Sequence, residues 1–263
     1  MKPLFIINEE DYIQKVIESE HKPDTLSIKR MVTMLCRYFY KLGIKPKELS
    51  YTVCKQLEKI MNDDENFRPY EVADLVYATS TKIIHGKIPK ELKVRDYIPV
   101  YKDEMKVLDK LKSQNEKKLM FTMYVLARYF DHHGWISLPL EDVISLSNVK
   151  CSNKKKYEII RGLIDQGLIS INMKASSLLN VCIKGYNIKH DAECYRITEI
   201  SNLGEYYLLN TFPNKYVRCN ECGKLVKKKS NRTSFCNKCI NDRKRKQNAI
   251  AMKLSRELQL DFI

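Results

Sequence analysis

No run of the 263 residues is apolar enough, for long enough, to cross a bilayer. The first twenty residues carry Glu9, Glu10, Asp11 and Glu18, so no secretory leader is expected there. Glycine and proline are scarce, eight of each, and no tract is of low complexity. With 44% apolar residues, this composition argues against a disordered chain and for one or more packed cores. Catalytic patterns are also missing. There is no P-loop, no glycine-rich dinucleotide turn and no H-E-x-x-H. His132-His133 suggests a general base, but it closes an apolar helix against Gly134, where the helix dipole favours histidine as a cap. No serine or cysteine sits in an elbow with an evident His and Asp partner. The expectation is a binding protein and not an enzyme.

Cysteine is the residue present in excess. Four of the nine form two C-x-x-C hooks, Cys219-Asn220-Glu221-Cys222 and Cys236-Asn237-Lys238-Cys239. This spacing lets four thiolates converge on one tetrahedral metal, with zinc the default occupant. Gly223, which has no Cβ, suits the tight knuckle after the first hook. The alternative is two disulfides, which a chain expected in a reducing compartment disfavours on redox grounds. Four thiolates fill the shell, so the expected cofactor is one structural zinc with no position open for catalysis. Cys36, Cys54, Cys151, Cys182 and Cys194 read as small core residues.

Acidic residues are the minority, 32 against 47 Lys and Arg, and the net charge is +15. The excess is concentrated. Residues 215–246 hold 12 basic and 2 acidic side chains, +10 of the total. Lys227, Lys228, Lys229 and Arg232 lie between the hooks; Arg243, Lys244, Arg245 and Lys246 follow them. A polyanion is the economical partner for such a block, DNA or RNA above all. The competing reading is a solvated basic tail, since charge alone carries no sequence information.

The periodicity predicts a mainly α chain with small β elements. Residues 1–90 read as a helical domain: Asn8 caps a first helix, Ser27–Leu42 carries a three-four apolar period, and Pro46 and Pro69 open two more helices. Residues 91–114 read as a connector with a short helix. Residues 115–185 then run helix (Glu116–His133), short strand (Trp135–Leu138), helix, turn, helix (Asn153–Gln166) and hairpin (Leu168–Asn172 with Leu179–Ile183). That order is a winged helix-turn-helix. Its recognition helix offers Lys154, Lys155, Tyr157 and Arg161, and its wing offers Lys174, Ser176 and Ser177. Protein docking by the same fold is the competing use. Residues 186–214 read as connecting strands at Tyr195–Thr198 and Tyr206–Leu209, 215–240 as a four-cysteine zinc ribbon, and 241–263 as a basic, amphipathic trailing helix.

The helical N-terminal region, the Asp165-Gln166-Gly167-Leu168-Ile169 step into the wing, Tyr216-Val217-Arg218-Cys219-Asn220-Glu221-Cys222-Gly223 and Phe235-Cys236-Asn237-Lys238-Cys239 together resemble a group of poorly characterised proteins from phages and mobile elements of Gram-positive bacteria. The resemblance implies zinc at the four cysteines and a bacterial host cytoplasm; it implies no activity. Two binding classes follow. One is a DNA-binding regulator or replication accessory. The other is a phage effector that docks on a host protein or ribonucleoprotein, such as a defence nuclease, in the manner of an anti-CRISPR.

Overall fold

The computed structural model describes residues 5–23, 26–62, 64, 67–173, 179–186, 192–230 and 232–260. Two hydrophobic cores and a cysteine cluster account for it. Four helices enclose the first core: α1 (Glu9–Ser19), α2 (Ile28–Lys41), α3 (Pro46–Ile60) and α4 (Pro69–Ile84). Asn8 caps α1 by accepting from the Glu10 and Asp11 amides, Ser27 caps α2 by accepting from the Arg30 amide, and proline opens α3 and α4. Ile13, Met31, Leu35, Leu49, Val53 and Val76 meet inside.

The second core is built around α6 (Gln114–Phe130), opened by a Ser113/Glu116 capping box. Every residue from Lys118 to Ala127 is buried, as expected of a helix apolar on all sides. Around it stand β1 (Ile98–Tyr101), α5 (Lys102–Lys110), β2 (Trp135–Ile136), α7 (Leu140–Leu146), α8 (Asn153–Asp165), β3 (Ile169–Met173), β4 (Leu179–Ile183), β5 (Glu193–Ile197) and α9 (Leu203–Thr211). β3 and β4 form an antiparallel hairpin, with Ile171 opposite Val181, and β2 adds to β4 with Ile136 opposite the same Val181. The three-stranded order is β2-β4-β3. β1 pairs antiparallel with β5, Ile98 opposite Ile197.

Four expectations need correction. The connector at 91–114 holds the expected short helix, α5, but also a strand, β1, and its Ile98, Val100, Leu108 and Leu111 are buried in the second core. Tyr206–Leu209 is helix, not strand: Leu203 and Tyr207, four residues apart, are both fully buried, and a four-residue apolar run cannot by itself separate the two periods. Among the five remaining cysteines only Cys36 is fully buried, where burial pushes its thiol up to about 11. Finally, α6 ends at Phe130 with Asp131 in the left-handed conformation, so His132 and His133 lie beyond the helix and do not cap it. Among the described residues no helix is long and apolar enough to cross a membrane.

Candidate metal centre and its basic surround

The cysteine cluster lies between a hairpin and a helix. β6 (Tyr216–Arg218) pairs with β7 (Leu225–Lys227), Val217 opposite Val226. The turn between them holds the first hook. Its Gly223 adopts φ +68°, a left-handed conformation that a Cβ would strain, and donates to the Cys219 carbonyl at 2.9 Å. The second hook opens α10 (Asn237–Leu260). The trailing helix therefore begins four residues earlier than the sequence suggests. Cys236 precedes its first turn, and its carbonyl accepts from the Ile240 amide at 3.0 Å. Cys239 is thus part of α10, and the helix leaves directly from the cluster.

The four sulfur atoms lie within 4.8 Å of one another. A tetrahedral zinc with Zn–S near 2.3 Å requires sulfur pairs about 3.8 Å apart. The Cys222 and Cys236 sulfurs are 3.7 Å apart, and none of the nine cysteines is in a disulfide. Backbone amides point at the sulfurs: Cys236 N–H donates to Cys219 Sγ at 3.3 Å, and Cys239 N–H to Cys236 Sγ at 3.5 Å. Amides of Cys222 and Cys236 hold the Cys219 thiol down to about 6, and the Cys239 amide lowers Cys236. Burial, with thiol contacts to its neighbours, pushes Cys239 well above the usual range. Thiolates this close repel, so without a cation the cluster keeps protons. A metal ion would replace them and draw four equivalent ligands. The donor set and spacing fit a metal, and the amide contacts supply the hydrogen bonds that thiolate ligands need.

The basic side chains fall into two groups around this centre. Lys227, Lys229, Arg232, Lys244, Arg245 and Lys246 are exposed. Arg245 reaches Asp242 only at 4.0 Å, and among the described residues the other five have no ion-pair partner. Two other members of the block make contacts within the ribbon and its neighbours. Lys228 Nζ donates to the Pro213 carbonyl at 2.9 Å, seating the hairpin on the segment after α9. Arg243 lies 3.8 Å over the Phe235 ring and donates through Nε to Glu221 at 2.8 Å, joining α10 to the first knuckle. Sequence reasoning missed this clamp because it joins residues from both hooks across the fold, and no local period marks it.

On α8, Lys154, Lys155, Tyr157 and Arg161 are all exposed, while Ile159, Ile160 and Leu163 face the core. Lys155 pairs with Glu158 at 2.9 Å and Arg161 approaches Asp165 at 3.9 Å; both are surface pairs that a polyanion can displace. Lys174, Ser176 and Ser177 lie outside the described residues. A contact chain links the α7–α8 turn to the metal centre. Asn148 Nδ2 donates to Glu205 at 2.9 Å, Arg218 stands 3.9 Å from the same carboxylate, and Arg218 Nη1 donates to the Gly223 carbonyl at 3.1 Å. Gly204 makes this approach feasible, since a Cβ there would lie 1.8 Å from the Ser147 carbonyl oxygen. Glu205, Arg218 and Gly204 carry no signal in the sequence that marks them for this role. No family model matches the chain, and neither a curated protein nor a solved structure matches it.

Proposed function

We propose that the chain is a nucleic-acid-binding protein in which a structural zinc ribbon and a winged helix present one positive surface to a phosphate backbone. The carrying observation is the set of exposed cations with no ion-pair partner among the described residues: Lys227, Lys229 and Arg232 on the chain between the two cysteine hooks, and Lys244 and Lys246 on the helix that leaves the second. Cations left unpaired in folded chain are those an external polyanion can neutralise. The order α6-β2-α7-α8-β3-β4, with β2 closing the hairpin sheet, supports the winged-helix reading, and Lys154 and Arg161 occupy the outer face of its second helix. Zinc, the ion best matched to four thiolates, supplies cross-linking and charge neutralisation here and no reaction step.

The test is a binding titration of purified protein against labelled duplex and single-stranded oligonucleotides, before and after metal removal by a chelator. Metal removal leaves the number of basic side chains unchanged but dissolves the frame that holds the two groups together. Binding is expected to weaken on chelation and to return when zinc is restored. Binding that ignores the metal would refute the shared frame. Absence of binding to either oligonucleotide would favour a protein target for the basic block.

A further inference from the structure

The cleft between α7 and α8 has no part in the reading above. Its volume is about 840 Å³. Leu140, Ile144, Val149 and Ile160 line its apolar part, and Lys150, Lys156 and Tyr157 line it as well. Tyr157 is 66% exposed, a large aromatic ring left in water on a helix whose Ile159, Ile160 and Leu163 turn inward. Lys150 is exposed, and Lys156 touches only the neutral Asn153 oxygen at 3.3 Å among its described contacts. One carboxylate, Glu141, faces two ammonium groups in the lining.

Such a lining is selective. The two lysines favour an anion. The apolar part and the tyrosine ring favour a flat group with a π-face, which stacks on an aromatic side chain regardless of its sequence. An unpaired nucleotide carries both features. In a duplex the base faces are covered by their neighbours, so the cleft has nothing to gain there beyond phosphate. We infer that this cleft holds an unpaired base of single-stranded nucleic acid, stacked on Tyr157, with the adjoining phosphates at Lys150 and Lys156. The inference rests on the nucleic-acid reading and adds to it a preference for single strands at this one place.

The experiment compares the full-length, zinc-loaded protein with its Tyr157→Ala and Tyr157→Phe variants, using fluorescein-labelled oligo-dT and a duplex of equal length at one salt concentration. The quantity read is the ratio of the two affinities. Tyr157→Ala should lower affinity for oligo-dT about tenfold more than affinity for the duplex, the scale of one lost stacking contact. Tyr157→Phe, which keeps the ring, should restore the ratio. An unchanged ratio in Tyr157→Ala overturns the inference and leaves the nucleic-acid reading intact. Wild-type protein that binds neither probe overturns both. Competition of oligo-dT by poly-glutamate that disappears in Tyr157→Ala would show a site for acidic peptide, and that also overturns the inference.

Discussion

At the scale of single residues, three positions carry predictions of their own. Gly204 is one. A methyl group there would lie 1.8 Å from a backbone oxygen of the α7–α8 turn, and backbone cannot rotate out of the way as a side chain can. Gly204→Ala should therefore cost about 3 kcal/mol or more, at the upper end of overpacking penalties, read as a lower midpoint in urea unfolding. Glu104 is the second. It accepts from Arg128 at 2.6 Å and from the Tyr101 amide at 2.8 Å, and both charged side chains of the pair are at most 10% exposed. Removing the carboxylate's charge in Glu104→Gln weakens a buried ion pair on one side only, and stability should fall by about 3 kcal/mol in the same assay. The third is Cys239, whose thiol burial pushes upward. A metal ion held by four thiolates must displace that proton, so the apparent affinity for added zinc should decrease as pH is lowered from mildly alkaline to mildly acidic. Competition with a colorimetric chelator at several pH values measures this; an affinity independent of pH would contradict thiolate ligation.

At the scale of elements, the local signals were readable and the distant ones were not. Asn8 and Ser27 as caps, Pro46 and Pro69 as helix openings, and the Ile169–Met173 and Leu179–Ile183 hairpin all follow from rules that act within a few residues. The four cysteines were legible for the same reason: two fixed spacings define the donor set. By contrast, Ile98–Tyr101 finds its partner strand almost a hundred residues later, at Glu193–Ile197, and nothing near Ile98 says so. Tyr206–Leu209 misled because four apolar residues in a row satisfy a strand and a buried helix equally; the docking of Gly204 on Ser147 decides the matter. The early start of α10 has a consequence of its own. Because Cys236 and Cys239 lie at its N-terminus, loss of the metal should fray the first turn of α10 together with the β6–β7 hairpin. Hydrogen exchange after chelation should show faster exchange at 216–240 and unchanged protection in α6. Uniform loss of protection across both regions would contradict a ribbon that folds on its metal alone.

At the scale of the whole molecule, the charge distribution is the central fact. The segment 215–246 carries +10 of a total of +15. The Arg243 clamp and the continuous α10 fix the outward cations of both hooks to one base. The Asn148–Glu205–Arg218 contacts tie that base to the turn before α8. Positive charge held on such a frame releases counterions as a set when it meets a phosphate backbone, and the salt dependence of binding counts the contacts. The decisive measurement is therefore the affinity for a duplex across a salt series, for the wild type and for the Lys227→Ala, Lys229→Ala, Arg232→Ala triple variant. Each duplex phosphate contact contributes a slope of about −0.9 on a log–log plot. The account predicts that the triple variant is shallower than the wild type by roughly two to three units, with a similar loss on unrelated sequences. Identical slopes for the two proteins would contradict it and make the basic block a solvated surface.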